Sequence, residues 1–163
     1  MGAATRIVVR EATIDDAQLI ADLTRGAWAG KVSVTSSGHR ETAVLVAEHL
    51  RQGGGFILSA EGGAIGSVRW LPLDSEPDVW EVARMGVLPA WRGSNLSQHL
   101  LEAVIHHAQA CGIAEVRLAA RPDQPRLIDF YTAYQFELAE ELEYSHANPL
   151  ELPPLVMRRL LRH

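Results

Sequence analysis

The stretch that most constrains the fold of this chain is VLPAWRGSNLSQHLLEAV, residues 87–104. An apolar run typical of a β-strand ends at Pro89, a short polar loop carries Arg92 and Gly93, and an amphipathic helix follows. The start of a helix presents unpaired backbone N–H groups and the positive end of the helix dipole. A strand, a tight loop and a helix in this order therefore favour the binding of an anion.

Two interpretations of this loop stay open on its own residues. Arg92 supplies a fixed positive charge with a planar set of donors, and Gly93 lets the backbone approach a ligand or adopt a positive φ. Asn95 can also adopt the left-handed conformation, at a higher cost than glycine. Ser94 or Asn95 equally suits an ordinary helix N-cap, and Asn95 with Gln98 resembles a capping box. The loop predicts either a phosphate site or a capped helix.

Composition and charge narrow the class of protein. The chain has 163 residues, of which 47% are apolar, so we expect one domain, residues 1–163, with one sizeable core. A net charge of −5 argues against nucleic acid and anionic lipid as partners. No run approaches the roughly 20 apolar residues that span a membrane. Cys111 is the only cysteine, so no internal disulfide forms, and we expect a cytoplasmic protein.

Hydrophobic periodicity and turn residues predict an α+β fold with seven strands. Thr13 with Asp16 predicts the N-cap of the first helix, and Gly112 predicts the end of the third. The predicted strands are residues 6–11, 56–60, 64–71, 79–87, 114–120, 136–145 and 154–161. The predicted helices are residues 13–27, 41–52, 95–111 and 126–134.

This order of elements, together with two motifs, resembles the GNAT N-acyltransferase superfamily. VLPAWRGSNLSQHLL is similar to the acyl-CoA pyrophosphate loop of that family, in which Asn95 and Ser97 stand where glycine or alanine is usual. LIDFYTAYQF is similar to a later family element, with Phe130 and Tyr131 in place and Gln135 where the family has glycine. The resemblance implies a mixed, mostly antiparallel seven-stranded sheet flanked by about four helices.

The resemblance also implies acetyl-CoA as co-substrate, without a metal. In such folds the fourth and fifth strands splay apart, and the pantetheine arm pairs with the backbone of the fourth strand. The pyrophosphate meets the N–H groups of the loop. The implied cofactor-binding residues are Met85, Gly86, Val87, Arg92, Gly93, Ser94, Asn95, Leu96, Ser97 and Gln124.

Acyl transfer to an amine needs a group that takes the amine proton and one that assists the leaving thiolate. Glu81 is the candidate base, because strand alternation places Val79, Glu81, Ala83, Met85 and Val87 on one face and apolar neighbours raise the pKa of a carboxyl group. An ion pair between Glu81 and Arg69 is the structural alternative. The resemblance makes Tyr131 the candidate acid, with core packing as its alternative; Tyr134 is the fallback.

Other side chains give weaker signals. Trp28 and Trp70 could wall an acceptor pocket, whereas core packing is the better hypothesis for Trp80. Cys111 lies four residues after His107, but an apolar stripe of Leu100, Val104, Ala108 and Cys111 favours a buried thiol. His106, His107 and Cys111 could supply two ligands at most from one helix face, too few for a metal site.

The predicted function is acetyl-CoA-dependent transfer of an acetyl group to a primary amine, on a small molecule or a peptide. The alternative is a non-catalytic GNAT-like module that senses acyl-CoA or an amine. A phosphate-binding domain of another kind is a third, weaker reading. Neither the acceptor nor the oligomeric state follows from the sequence, and a homodimer remains open.

Overall fold

A computed structural model of the chain describes residues 6–29, 40–93, 95–145, 148, 150 and 152–161. These residues form seven strands and four α-helices. The strands are β1 (Ile7–Glu11), β2 (Gly54–Ala60), β3 (Gly63–Pro72), β4 (Val79–Val87), β5 (Glu115–Ala120), β6 (Glu137–Leu138) and β7 (Leu155–Leu160). The helices are α1 (Ala17–Trp28), α2 (Ala43–Gln52), α3 (Ser97–Ala110) and α4 (Pro125–Ala133). Short 3-10 turns precede α1 (Ile14–Asp16) and follow β4 (Pro89–Trp91).

The strands form one sheet in the order β1-β2-β3-β4-β5-β7-β6. Every neighbouring pair is antiparallel except β4 and β5, which run parallel. Those two strands pair only at Val79–Glu81 with Glu115–Arg117. Beyond Glu81 the paired residues of β4 form strand pairs with β3 alone, so the backbone edge toward β5 has no partner strand there. The predicted α+β sheet is confirmed.

The helices cover both faces of the sheet. α1 and α2 pack on one face, where Ile20, Val46, Leu50 and Ile57 form a small core. On the other face α3 buries a stripe against the larger core of β2, β3, β4 and β5. Removal of that much apolar surface from water is the main stabilising term, at about 1.5–3 kcal/mol for each large side chain. Among the described residues no helix is both long and apolar enough to cross a lipid bilayer.

The middle of β4 contains a bulge that sequence alternation did not anticipate. Its pairing with β3 shifts between Ser67 and Arg69, and Arg84 has a φ of +55°. One extra residue reverses the sides on which the following side chains lie. The prediction that five alternate β4 residues share a face is therefore wrong, because Met85 and Val87 join the core that holds Trp80.

Two further predictions need correction. The sixth strand is only Glu137–Leu138, because the chain turns after Ala139, whose carbonyl oxygen accepts from the N–H of Leu142, and returns toward β4. Cys111 is exposed rather than buried. α3 ends at Ala110, so the chain turns before the apolar stripe reaches Cys111, and Gly112 with a φ of +71° completes the turn.

Candidate active site

A cavity of about 490 Å³ opens where β4 and β5 diverge, between the end of α1, the loop before α3 and the start of α4. The divergence explains its position, since neighbouring strands that no longer pair leave both backbone and side chains free to line a groove. Most of the predicted site residues line it: Trp28, Met85, Gly86, Val87, Arg92, Gly93, Asn95, Leu96, Ser97, Gln124 and Tyr131. Glu81 and Trp70 are not in the lining, and Ser94 lies outside the described residues.

The loop before α3 has backbone geometry suited to an anion. Gly93 has a φ of +90° and Asn95 a φ of +54°, so both positions use the left-handed region. The N-cap residue, Leu96, makes no side-chain capping bond, so the predicted capping box of Asn95 with Gln98 is absent from the described residues. Among the described residues, the backbone N–H groups of Leu96 and Ser97 have no hydrogen-bond partner. The start of α3 is therefore open to a ligand.

Arg92 holds this loop to α1. Its guanidinium donates a hydrogen bond to the backbone carbonyl oxygen of Ala27, near the C-terminal end of that helix. A cation at the C-terminal end of a helix also interacts favourably with the helix dipole. Its Nε atom is buried and has no partner among the described residues.

The cavity is cationic although the chain is acidic. Arg84, Arg92, Arg121 and Arg126 line it, and among the described residues no aspartate or glutamate does. Arg121 is partly compensated by Asp123, whose carboxylate oxygens lie 3.2 and 3.3 Å from its guanidinium nitrogens. That hydrogen bonding lowers the pKa of Asp123. Arginines beside an open helix start fit the phosphates of a coenzyme A group.

Gly86 and Trp28 set the width of the cavity beside β4. A Cβ atom at Gly86 would lie 2.8 Å from the Trp28 ring and 3.0 Å from the Cβ of Ala27. The end of α1 therefore packs directly on the backbone of β4, which only glycine allows here. Trp28 consequently forms a fixed wall of the cavity.

Trp70 lies elsewhere. Its ring stacks on Trp80 with centroids 3.6 Å apart, and both rings lie against His107 of α3. Trp80 is buried, which confirms its predicted place in the core. The indole of Trp70 also covers Gly54, where a Cβ would lie 2.7 Å from the ring. The side chain that sequence analysis assigned to an acceptor pocket therefore packs between β2 and α3.

Glu81 is fully buried behind the cavity wall. Ser145 binds both carboxylate oxygens, through its hydroxyl group and through its backbone N–H, the latter at 3.2 Å. Arg69 pairs with Glu41 rather than with Glu81, at 2.8 Å between Nη2 and Oε1. The ion pair considered as an alternative for Glu81 is therefore excluded.

Two tyrosines of α4 occupy different environments. Tyr131 lines the cavity and is 6% exposed, and burial raises the pKa of its hydroxyl group to about 12. The hydroxyl group of Tyr134 lies outside the lining and donates to Glu102 of α3 at 3.0 Å. Burial and the bond to Glu102 raise the pKa of Tyr134. Position therefore favours Tyr131 over Tyr134 for contact with a ligand.

Sequence reasoning missed four polar side chains that the fold brings to the cavity. Tyr144 lines it and donates from its hydroxyl to the carbonyl oxygen of Val82 at 2.9 Å; the residue had been assigned to an extended sixth strand. Arg84 lines it because of the bulge. Arg121 lies directly after β5, and Arg126 lies at the start of α4. Basic residues after a predicted strand were the sequence signal that could have identified them.

A buried ionic cluster supports the wall behind Arg84. Glu41 accepts from Arg69 at 2.8 and 3.3 Å and from Nε of Arg84 at 2.6 Å. Burial raises the pKa of Glu41, but hydrogen bonds from Arg69 and the charges of both arginines outweigh it, so the net pKa is lowered. Glu41 is therefore an ionised partner that joins the segment just before α2 to β3 and β4.

Comparison with known proteins agrees with this architecture. Residues 20–136 match the model of the acetyltransferase (GNAT) family. An IAA acetyltransferase of Azospirillum brasilense is 28% identical over 132 residues, covering 79% of this chain and 82% of that protein.

Solved structures share the fold at low identity. The PaiA N-acetyltransferase of Thermoplasma acidophilum, in complex with coenzyme A, superposes with a TM-score of 0.75 at 16% identity, over 96% of this chain and 99% of that one. The ribosomal-protein-S18-alanine N-acetyltransferase of Escherichia coli gives a TM-score of 0.72 at 16% identity, over 95% and 94%. The family match, with the sheet and the cavity described above, identifies the chain as a member of the GNAT acetyltransferase family.

Proposed function

We propose that the chain forms one catalytic domain that transfers an acetyl group from acetyl-CoA to an amine. The observation that carries this proposal is the arginine-lined cavity where β4 and β5 diverge, with Tyr131 in its wall. Acetyl-CoA would supply the activated thioester. The family supports the reaction class, while the acceptor and the individual roles below are our inference. A single cysteine, exposed and without a disulfide partner, is compatible with a cytoplasmic enzyme.

The chain offers a binding surface for each part of acetyl-CoA. The open backbone edge of β4, from Met85 to Val87, would pair with the amides of the pantetheine arm. The start of α3 would receive the pyrophosphate, because unpaired N–H groups and the helix dipole favour negative charge. Arg121, Gln124 and Arg126 line the same end of the cavity and would contact the remaining polar groups.

Glu81 is our candidate for removal of the proton from the amine. Its burial behind the cavity wall excludes direct contact with a substrate in this conformation, so the proton would pass through Ser145 or a water molecule. Hydrogen bonds from Ser145 favour the ionised carboxylate, which is the form that can accept a proton. The amine nitrogen forms its bond to the acetyl carbon as the carbon–sulfur bond breaks.

Tyr131 is our candidate for the group that assists the leaving sulfur. Its pKa of about 12 keeps the hydroxyl group protonated throughout the working pH range. Complete proton transfer to a thiolate with an ordinary pKa of about 8.5 would be unfavourable. The hydroxyl group would therefore act mainly by donating a hydrogen bond to the sulfur as negative charge develops on it.

One observation favours the alternative of a non-catalytic sensing module. Both oxygens of Glu81 already accept hydrogen bonds from Ser145, which is an arrangement also suited to a purely structural carboxylate. Such a module would bind acetyl-CoA without releasing its thiol.

Two measurements test the function. Thermal unfolding with acetyl-CoA, CoA and ATP reports which of these nucleotides the cavity binds, and we expect stabilisation by the first two only. A thiol-release assay with a panel of amines then reports turnover. Binding without thiol release from any amine would favour the sensing module, and stabilisation by ATP alone would contradict both proposals.

A further inference from the structure

We propose that Arg84 receives a carboxylate group of the acceptor, so that the preferred acceptors are free amino acids rather than simple amines or peptide N-termini. This inference rests on the proposed N-acetyl transfer and adds the class of acceptor to it.

The bulge in β4 directs Arg84 to the cavity. The left-handed φ of +55° at a residue other than glycine costs about 1–2 kcal/mol in most contexts. Arg84 lines the cavity, and its side chain is 18% exposed. Without the bulge, the side chains of β4 would have kept their regular alternation between the two faces of the sheet. A strained arginine at the surface of an active-site cavity is a candidate for ligand contact.

The partners of Arg84 leave its terminal nitrogens available for a ligand. Glu41 already has Arg69 on both carboxylate oxygens, and Arg84 adds a single bond from Nε. One carboxylate therefore serves two guanidinium groups. Among the described residues the terminal nitrogens of Arg84 make no hydrogen bond, and neither is buried without a partner. These two nitrogens donate in one plane, which matches a carboxylate that accepts one hydrogen bond on each oxygen.

Arg84 is separate from the arginines assigned to the phosphates. Arg92, Arg121 and Arg126 lie on the loop before α3, directly after β5 and at the start of α4, whereas Arg84 lies within β4. It belongs instead to the wall that contains Tyr144. The hydroxyl group of Tyr144 donates to the carbonyl oxygen of Val82, two residues before Arg84 in β4, at 2.9 Å.

Arg84 in the cavity wall and Glu81 buried behind it together complement an amino acid. The ammonium group of such an acceptor would be attracted toward Glu81, and its carboxylate would bind Arg84. An acceptor bound in this way would have its amine at the end of the cavity where Glu81 and Tyr131 are proposed to act. A simple amine would leave the terminal donors of Arg84 without a partner after water is displaced, which reduces its affinity.

The test compares each common L-amino acid with its primary amide, by thiol release from acetyl-CoA. Each pair shares its side chain and α-amine and differs in the carboxylate, and the amide also mimics a peptide N-terminus. We expect the acids to have the higher kcat/KM, by about 10–100-fold for the best side chain, the range for a hydrogen bond to a charged group. R84Q should remove this preference, and R84K should restore part of it. R121Q is the matched control, because it should raise the KM for acetyl-CoA and keep the preference for acids.

Two results would overturn the inference alone: equal use of acids and amides by the wild type, or an unchanged preference for acids in R84Q. A third would be a loss of activity in R84Q that appears only when succinyl-CoA replaces acetyl-CoA as the acyl donor. The last result would place the carboxylate on the acyl group. Thiol release from no amine at all would instead refute the proposed function. Calorimetry with CoA and N-acetyl amino acids gives a second readout without turnover, and R84Q should weaken that binding. If R84Q does not fold, R84K must lower the preference for acids, or the inference fails.

Discussion

Arg92 donates a hydrogen bond to the carbonyl oxygen of Ala27, so the loop before α3 is fixed to the end of α1. Trp28, which follows Ala27 in the chain, lines the same cavity as the loop. The guanidinium thus joins two walls of the site. A residue first assigned to phosphate binding therefore also determines the shape of the cavity.

Replacement of Arg92 by alanine should weaken the binding of CoA by about 1–3 kcal/mol, the range for loss of a hydrogen bond to a charged group. It should also lower the melting temperature, because the carbonyl oxygen of Ala27 loses its partner. Calorimetry with CoA and thermal unfolding measure the two effects. R92K is the control, since it keeps the positive charge and can still donate a hydrogen bond. Its affinity for CoA and its melting temperature should lie between those of the wild type and R92A. Failure of the wild type to bind CoA at millimolar concentration would refute the account of the loop.

Replacement of Asn95 by glycine should leave CoA binding unchanged or tighten it. Asn95 has a φ of +54°, which glycine adopts without strain, and loss of its side chain gives the phosphates room. Calorimetry with CoA measures the change. A large loss of affinity would mean that the asparagine side chain itself holds the ligand.

Gln135 provides the matched control for Asn95. It has a φ of +69° and follows α4, outside the cavity lining. Q135G should raise the free energy of unfolding by about 0.5–1 kcal/mol, as relief of the left-handed strain exceeds the added entropy of the unfolded chain. Its affinity for CoA should match that of the wild type. Destabilisation by Q135G would show that the side chain makes a contact worth more than the strain.

Replacement of Tyr131 by phenylalanine should lower kcat by about 10²–10³-fold, the usual cost of removing one donor that stabilises developing negative charge. The KM for acetyl-CoA should change little, because the hydroxyl group is proposed to act only as the carbon–sulfur bond breaks. Steady-state kinetics with any accepted amine measure both values. Y134F is the control and should retain turnover, since its hydroxyl group binds Glu102. The reverse pattern would assign the role to Tyr134.

Replacement of Glu81 by glutamine should also lower kcat, with a loss that shrinks as pH rises. At high pH the amine is already neutral and needs no base. A pH–rate profile of E81Q and the wild type tests this expectation. S145A should lower kcat as well, because it removes the hydroxyl group that binds Glu81 and is proposed to relay the proton. A constant ratio of E81Q to wild type across the pH range would assign Glu81 a structural role.

All three tyrosines should ionise above the ordinary pKa of about 10, since their pKa values are raised in the fold. For Tyr131 the sign follows from linkage: stabilisation is complete below the unfolded pKa and is lost as pH rises through its folded pKa of about 12. The loss should reach about 3 kcal/mol. Tyrosinate absorbance in the native state, against the protein in denaturant, measures the ionisation. In Y131F the alkaline loss of stability should be smaller, and an equal loss would contradict this assignment.

The sequence by itself determined the elements and the family. Apolar spacing, Thr13 with Asp16 and Gly112 mark where helices begin and end, and the order of elements led to the seven-stranded sheet. These signals are local, because helix periodicity and turn chemistry depend on residues a few positions apart. The same signals predicted the loop around Arg92, whose residues are contiguous in the chain.

The tertiary structure decided which side chains meet. Glu41 and Arg69 pair across 28 positions, and Ser145 reaches Glu81 across 64. The bulge at Arg84 moved Met85 and Val87 to the other face, and the early turn after Ala139 brought Tyr144 to the cavity. Each outcome depends on a shift of one residue in strand pairing or on contacts between distant segments. Alternation along one strand carries no information about either, so the places of Arg84 and Tyr144 in the cavity wall followed only from the folded sheet.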